Sequence, residues 1–329
     1  KQKGKEIDIY IPILKIGIEY DGARWHKDVD KDILKNEICQ KNGITIAIRR
    51  EDLIHPFVSG NKFRKLKYNL LQAKAENQAT LLTFGGAFSN HIAAVSFAGK
   101  ENNFKTIGII RGDELREKIL ENPTLKFAQE NEMQFEFVSR SDYSDKENPE
   151  FLEKLKQKFG DFYLIPEGGT NELAVKGCEE ILNHKDSQFD YICCAVGTGG
   201  TISGLINSAL PHQKVLGFPA LKGDFLREEI CMFAKTDNWQ LIKDYHFGGY
   251  GKINLELVNF INNFSESNKI PLDPVYTSKM VFGIYDLIDK NYFPSHSKIL
   301  LIHTGGLQGI QGMNQLLEKK QLPKIITNV

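Results

Sequence analysis

From residue 43 onward, short apolar runs alternate with amphipathic segments, and this alternation allows few architectures. The apolar runs cover residues 44–48, 80–84, 106–110, 190–196, 215–218 and 299–303. Helical patterns cover about 62–77, 89–103, 171–184, 201–210, 277–290 and 306–319. Because most of the runs are continuously apolar, they are typical of strands that are buried on both faces. The sequence therefore predicts an α/β protein with parallel sheets and helices on both faces of each sheet.

Three of the predicted strand-to-helix turns are rich in glycine and hydroxyl side chains. They are GGAFSNH at Gly85–His91, GTGGTISG at Gly197–Gly204 and HTGGLQG at His303–Gly309. Ligands of such folds bind beyond the carboxyl ends of the strands, where a glycine-rich turn can present backbone N–H groups to an anion. The second turn is the best candidate for a phosphate, because Thr198 and Thr201 can add hydroxyl donors. It is not a dinucleotide fingerprint, since Ile202 replaces the third glycine, and no Lys-Ser/Thr pair follows to make a P-loop.

Lys62 occupies an unusual position for a lysine. It follows Ser-Gly-Asn at the start of a predicted helix, where the positive end of the helix dipole disfavours an ammonium group. The neutral amine is the form that Schiff-base chemistry needs. Arg64, Lys65 and Lys67 lie in the same turns and are expected to act in the same direction. The ordinary alternative is a lysine exposed on the surface.

Charge and cysteine content exclude several classes of partner. The chain has 42 basic and 42 acidic residues, so we expect neither nucleic acid nor a membrane surface as a partner. No apolar run is long enough to cross a membrane. The five cysteines include no CxxC pair, which argues against a disulfide framework or a zinc ribbon. With no signal peptide visible, these features predict a cytoplasmic protein.

Five segments together resemble the 1-aminocyclopropane-1-carboxylate deaminase/D-cysteine desulfhydrase family. They are REDLIHPFVSGNKFRKLKYNLL (50–71), TFGGAFSNH (83–91), PEGGTN (166–171), AVGTGGTISG (195–204) and DPVYTSKM (273–280). The resemblance covers about residues 43–329. It implies the two-lobed pyridoxal-phosphate (PLP) fold of type II, which is tryptophan-synthase-β-like. The implied large PLP-binding lobe contains residues 43–64 and 175–329, and the small lobe contains residues 65–174.

The same resemblance implies a role for each matching residue. Lys62 carries the cofactor, Asn90 binds its phenolic oxygen, and Thr277 faces its pyridine nitrogen. The residues that match the phosphate-binding loop are Gly197, Thr198, Gly199, Gly200 and Thr201. Ser89 lies beside the substrate carboxylate as a proton shuttle or nucleophile, with Asn90 and His91 also expected to contact the substrate. Tyr250 and Tyr276 match the two active-site tyrosines.

Thr277 leads to the expected reaction. Deaminase-type sequences of the family resemble one another in carrying Glu at this position, and desulfhydrase-type sequences carry Thr. A hydroxyl keeps the pyridine ring a weaker electron sink than a carboxylate does, which favours prompt loss of a β-substituent. We therefore expect β-elimination from a small amino acid such as D-cysteine, giving a 2-oxo acid, ammonia and sulfide. We also expect a cytoplasmic homodimer. Deamination of the cyclopropane substrate is the alternative.

Residues 1–42 do not match this family. They resemble a fragment of restriction-like endonucleases of the very-short-patch-repair type, in which Asp8, Glu19 and Asp21 match metal-binding carboxylates and His26 lies nearby. Two strands and a helix are too small to form a nuclease core. We expect an atypical, non-catalytic extension that binds no metal. A metal-dependent nuclease and a PLP-free binding protein are the two alternatives from other classes, and the intact Lys62 argues against the second.

Overall fold

The computed structural model describes residues 43–326 in full and, before them, only the backbone of residues 9–11, 16–18 and 31–34. Strands β1 (Ile9–Ile11) and β2 (Ile16–Ile18) pair antiparallel with each other. Strand β3 (Lys31–Leu34) pairs antiparallel with β4 (Thr45–Arg49). The carboxylates proposed for a nuclease site, Asp8, Glu19 and Asp21, and the neighbouring His26 lie outside the described residues.

The larger sheet has six strands in the order β11-β10-β9-β12-β4-β3. Its further members are β9 (Tyr191–Val196), β10 (Lys214–Pro219), β11 (Trp239–Leu241) and β12 (Lys298–Ile302). All of its pairings except that of β3 with β4 are parallel. Neighbouring strands β9 and β12 are far apart in the chain, so the crevice at their carboxyl ends is a natural ligand site.

The smaller sheet is fully parallel and has the strand order β7-β6-β5-β8. Its strands are β5 (Thr80–Gly86), β6 (Lys105–Arg111), β7 (Gln134–Val138) and β8 (Tyr163–Ile165). Every one of them lies within residues 65–174, whereas β4 and β9–β12 lie within the two segments predicted for the large lobe. We propose that the two sheets are the cores of the two predicted lobes.

Helices connect the parallel strands, as a right-handed crossover requires. The helices in chain order, α1 to α11, are Asn61–Ala75, Asn90–Glu101, Pro123–Glu130, Arg140–Ser144, Pro149–Phe159, Glu172–Glu179, Gly200–Ser208, Leu226–Cys231, Leu255–Asn268, Thr277–Asp289 and Gly309–Lys319. In the part of the chain that the structure describes, no helix is long and apolar enough to cross a membrane.

Alternate residues of one strand enter different hydrophobic clusters. Cys193 belongs to the cluster on one side of the large sheet, and Cys194 belongs to the cluster on the other side. Leu81 and Leu82 divide between two clusters of the small sheet in the same way. Because side chains alternate along a strand, both faces of each sheet are covered. The expectation of doubly buried parallel strands is confirmed.

Candidate active site

The three glycine-rich turns meet at one cavity of about 280 Å³ between the carboxyl ends of the strands. Ten of the twelve predicted site residues line it: Lys62, Ser89, Asn90, His91, Gly197, Thr198, Gly199, Thr201, Tyr250 and Tyr276. The third turn contributes Thr304, Gly305 and Gly306. Gly60 packs on this turn so closely that a Cβ there would lie 2.0 Å from the carbonyl oxygen of Thr304. Lys62 therefore enters the cavity from a tightly fixed helix start.

The Lys62 amine is held inside the cavity beside a second lysine. Its Nζ donates to the Gly168 carbonyl at 3.4 Å. Burial, helped by the charge of Lys65, lowers the pKa of Lys62 from 10.5 to about 7. An amine with this pKa is largely neutral slightly above neutral pH, which is the state that attacks a carbonyl.

The lowered pKa of Lys62 predicts how the rate of PLP binding to the apoenzyme depends on pH. We expect the rate of Schiff-base formation with PLP to rise through a midpoint near pH 7, because the neutral fraction of Lys62 is about a tenth at pH 6 and about nine tenths at pH 8. The rate is measured at each pH by mixing apoenzyme with PLP and following the absorbance. Lys65→Met should move the midpoint upward by removing a like charge, and the matched change Lys67→Met should not. A midpoint near pH 10 in the unaltered protein contradicts the prediction.

Lys65 is a site residue that the sequence alone did not single out. Its side chain is buried, and Nζ donates to the Gly168 carbonyl at 3.0 Å, to Thr170 Oγ1 at 2.9 Å and to Thr198 Oγ1 at 3.3 Å. All three N–H groups of the ammonium are thus satisfied directly behind the second turn. The i, i+3 spacing from Lys62 was the available signal, because residues three apart share one face of a helix.

The other cations of α1 act elsewhere, which corrects the expectation that they all influence Lys62. Arg64 forms a two-bonded ion pair with the buried Glu51, at 2.9 and 3.0 Å. Lys67 pairs with Glu180 at 2.7 Å. Of these cations, only Lys65 contributes to the lowered pKa of Lys62. The side chains of Arg64 and Lys67 point away from Lys62 because they lie on a different face of the helix.

The second turn has the conformation of an anion cradle. Gly199 has φ +84°, and it precedes α7 as an N-cap that supplies no side-chain hydrogen bond. The first N–H groups of α7 therefore receive no capping side chain from this residue. Thr201 Oγ1 accepts from Asn61 Nδ2 at 2.8 Å, a contact that holds this side chain at the cavity wall. Gly200, predicted as part of the cradle, is buried behind the cavity wall beside Thr170 and Lys65.

Ser89 is the N-cap of α2, the helix that follows the first turn. Its Oγ accepts from the backbone N–H groups of His91 at 3.2 Å and Ile92 at 3.4 Å. These contacts use both lone pairs, so the Ser89 hydroxyl is a hydrogen-bond donor to the cavity. A hydroxyl that donates can bind a substrate carboxylate, but it has no free lone pair with which to accept the substrate's α-proton.

The geometry of His91 argues against the expected contact with a substrate carboxylate. Thr83 Oγ1 lies 2.8 Å from the Ile165 carbonyl, which can only accept, so the hydroxyl must donate there. His91 Nε2, 2.9 Å from the same hydroxyl, is then the donor to it. Nδ1 is left as a buried acceptor with no partner. Burial and the charges of Lys62 and Lys65 hold the pKa of His91 well below its usual value, so this neutral ring offers a carboxylate no proton at Nδ1.

The two predicted tyrosines lie together at the cavity wall. Their ring centroids are 6.1 Å apart in an edge-to-face arrangement. Burial raises the pKa of both phenols, and that of Tyr276 lies well above its ordinary value. Both are therefore protonated donors near neutral pH. The loop of Tyr250 is tied down by the buried Lys279, whose Nζ donates to the carbonyls of His246 at 2.9 Å and Gly249 at 2.8 Å.

Thr277 lies behind the residues that line the cavity. It is fully buried at the start of α10 and does not line the cavity. Its hydroxyl donates to the carboxylate of Asp273, which also accepts from the backbone N–H of Thr277 at 2.6 Å. This reciprocal cap satisfies the helix start. The contact of Thr277 with the cofactor's ring nitrogen stays a prediction.

A carbonyl-bearing phosphate cofactor fits these residues. The cavity contains the amine of Lys62, whose pKa is lowered, and a glycine-lined helix start with threonine hydroxyls, and Asn90 lines it as well. Amine and anion cradle are the two attachment points that PLP requires. The site and fold together define the class of PLP-dependent enzymes.

Comparison with known proteins leads to the family. A family model described as "Pyridoxal-phosphate dependent enzyme" matches residues 34–305. A protein of Pyrococcus horikoshii named "Putative 1-aminocyclopropane-1-carboxylate deaminase" is 32% identical over 300 residues, covering 83% of this chain and 87% of that protein. The Arabidopsis thaliana protein named "Bifunctional D-cysteine desulfhydrase/1-aminocyclopropane-1-carboxylate deaminase, mitochondrial" is 30% identical, covering 82% and 74% of the two chains.

A solved structure of an ACC deaminase homologue, where ACC is 1-aminocyclopropane-1-carboxylate, superposes with a TM-score of 0.77 at 28% identity. It covers 89% of this chain and 94% of that one. The chain belongs to the PLP-dependent 1-aminocyclopropane-1-carboxylate deaminase/D-cysteine desulfhydrase family. The fold class, the cofactor and the assignment as a PLP-dependent lyase are thereby confirmed.

Proposed function

We propose that this enzyme eliminates the β-substituent of a small amino acid, with D-cysteine as the model substrate, and releases a 2-oxo acid and ammonia. PLP, when bound, supplies the electron sink that stabilises negative charge at the substrate's α-carbon. The observation that carries the proposal is the pairing of a buried amine of pKa about 7 with two phenols whose pKa values are raised. This combination provides one base and two proton donors in the same cavity.

The base in this proposal is Lys62. When it is not linked to the cofactor, its amine would be about half neutral at pH 7 and more so above it, and it could accept the α-proton. Ser89 is less suited to the same task because its lone pairs accept from the backbone of α2. We assign Ser89 and Asn90 to the substrate carboxylate, which then also meets the N-terminus of α2. The predicted contact of Asn90 with the phenolic oxygen of the cofactor belongs to the same proposal.

The cofactor phosphate is assigned to the second turn. Backbone N–H groups at the start of α7, together with the hydroxyls of Thr198 and Thr201, supply donors. Lys65 lies behind Thr198 and adds a positive charge. Gly199 carries the left-handed φ that gives the turn its shape. Gly197 lies against the ring of Tyr276, because a Cβ on it would approach Cε1 to 3.1 Å.

The state of the tyrosines favours elimination over ring opening. Neither phenol is available as an anionic nucleophile, because burial raises the pKa of both. As protonated donors, Tyr250 and Tyr276 can hydrogen-bond a departing thiolate. Thr277 adds no support of its own, since its hydroxyl is bonded to Asp273.

The substrate preference is testable directly. We expect kcat/KM for D-cysteine to exceed kcat/KM for 1-aminocyclopropane-1-carboxylate, because protonated tyrosines assist a departing thiolate. The ratio of the two kcat/KM values reports the differential stabilisation of the two transition states. Keto-acid detection measures both reactions. Tyr276→Phe should lower elimination by removing a donor, whereas Tyr163→Phe, remote from the cavity, is the control. A tenfold preference for the cyclopropane substrate, about 1.4 kcal/mol, contradicts the proposal and supports the deaminase alternative.

Two further parts of the proposal concern the setting of the enzyme. We propose a cytoplasmic homodimer that uses a small amino-acid substrate and no nucleic acid. The balanced charge of the chain supports the last point, and the buried unpaired thiols of Cys178, Cys193 and Cys194 suit a reducing compartment. Sedimentation of the purified holoenzyme tests the dimer.

A further inference from the structure

Arg111 lies at the cavity wall but has no part in the chemistry described above. It is the last residue of β6 and stands in register with Gly86 of β5 and Val138 of β7. Its Nη2 lies 3.7 Å from the point that a Cβ on Gly86 would occupy. Gly86 begins the turn that ends in Ser89 and Asn90. The guanidinium therefore lies at the edge of the surface assigned to the substrate.

The guanidinium of Arg111 is oriented but not neutralised. Its Cζ lies 5.6 Å from the ring centroid of Tyr143, in cation–π contact. Tyr143 donates to Glu167 Oε1 at 2.7 Å, and the other oxygen of Glu167 is 3.5 Å from Lys146 Nζ. Among residues 43–326, no carboxylate oxygen lies within 4.0 Å of the guanidinium. Glu167 also lines the cavity, but Lys146 offsets its charge, so the charge of Arg111 is not cancelled by a direct partner.

We propose that Arg111 binds an anionic group on the β-substituent of the substrate, so that the enzyme prefers amino acids whose leaving group is negatively charged. This inference rests on the proposed elimination. The cofactor phosphate and the substrate α-carboxylate already have their own helix N-termini, at α7 and α2. Arg111 is therefore a third anion-binding group in the cavity. A guanidinium can donate two parallel hydrogen bonds to a phosphate or carboxylate.

O-Phospho-D-serine is the probe that fits this chemistry. Lys62 takes the α-proton, the electron pair of the Cα–H bond forms the Cα=Cβ bond, and the Cβ–O bond breaks with its pair leaving on phosphate. Water then replaces the amino group. The balance is O-phosphoserine dianion plus water, giving pyruvate, ammonium and hydrogen phosphate dianion. No oxidant or further reactant is needed.

The test compares O-phospho-D-serine with O-acetyl-D-serine, whose substituent is uncharged. Arg111→Gln should lower kcat/KM for the phosphorylated substrate at least tenfold more than for the acetylated one. Arg111→Lys should retain part of the preference because it keeps the charge. The control Arg116→Gln changes a guanidinium that stacks on Phe137 away from the cavity, and it should leave the ratio unchanged. Added salt should reduce the preference in the wild type.

Calorimetric titration of the holoenzyme separates this inference from the proposed function. Wild type should bind O-phospho-D-serine more tightly than D-serine, and Arg111→Gln should abolish the difference. Equal binding of the two ligands by the wild type overturns the role of Arg111, whatever the turnover. An equal loss for every amino acid also overturns it, because it places the α-carboxylate at Arg111. If the binding preference is present but neither D-cysteine nor the esters yield keto acid, the proposed elimination is wrong and the anion site stands.

Discussion

Replacing Lys62 by alanine is expected to lower kcat for elimination by about a thousandfold or more, because the same amine carries the cofactor and takes the α-proton. The variant should still bind PLP through the start of α7, but without a covalent link. Borohydride reduction followed by peptide mass mapping should place a pyridoxyl group on Lys62 in the wild type and on no lysine in Lys62→Ala. Residual activity should rise when a small primary amine is added, since it replaces the missing base.

Lys67→Ala is the matched control, because Lys67 lies on the same helix and its ammonium pairs with Glu180 at a partly exposed position. It should keep both the label on Lys62 and the activity. Labelling of Lys65 in the wild type, or full turnover by Lys62→Ala, contradicts the assignment. Lys65 makes this a stringent test, since its buried amine lies in the same cavity with a lowered pKa.

The sequence was sufficient to predict the alternating sheet architecture and the position of the site. Continuous apolar runs predicted the central strands to within one or two residues, and glycine-rich turns located the cavity. The prediction missed β8 and β11, because three residues carry little periodicity. It also missed β7, whose apolar residues alternate with polar ones, and the longer helix α9. Pairing with their neighbours defines these strands, and that information is non-local.

Hydrogen-bond partners could not be read from the sequence. Thr277 was expected at the cofactor, but the carboxylate four residues earlier takes its hydroxyl. His91 was expected to meet a carboxylate, but Thr83, on the adjacent strand, determines which of its nitrogens carries the proton. The three cations Arg64, Lys65 and Lys67 look alike in sequence, and only the fold shows which of them faces Lys62. In each case the partner of the side chain follows from the fold and could not be predicted from the residue type.

The largest expected loss of stability comes from the ion pair of Arg49 and Asp186. Both side chains are only 2% exposed, and Arg49 Nη2 lies 2.8 and 2.7 Å from the two carboxylate oxygens. Arg49 ends β4, and its carbonyl accepts from His303 at the end of β12. Asp186 lies in the turn that precedes β9. The pair thus connects β4 to β9 and β12, the two strands whose ends carry the second and third glycine-rich turns.

Asp186→Ala should therefore lower the free energy of unfolding by about 3–5 kcal/mol, because it leaves a guanidinium buried without its counter-charge. Such a loss is a large part of the stability of an ordinary domain, about 5–15 kcal/mol. Urea denaturation of the purified holoenzyme and apoenzyme measures it. Glu114→Ala, which breaks the exposed pair with Arg140 at 3.0 Å, should cost no more than about 1 kcal/mol.

A double replacement distinguishes loss of the pair from loss of packing. Arg49→Met combined with Asp186→Leu removes both charges and keeps apolar volume, so it should recover much of the stability that Asp186→Ala loses. We expect Asp186→Ala to weaken PLP binding, because the strands β4, β9 and β12 hold the turns in place. The double variant should bind PLP more tightly than Asp186→Ala. If Asp186→Ala unfolds at the same urea concentration as the wild type, the pair does not fasten these strands. If the double variant is no more stable than Asp186→Ala, the cost arises from altered packing or from the lost hydrogen bond of the Asn183 backbone to Asp186, and not from the unpaired charge.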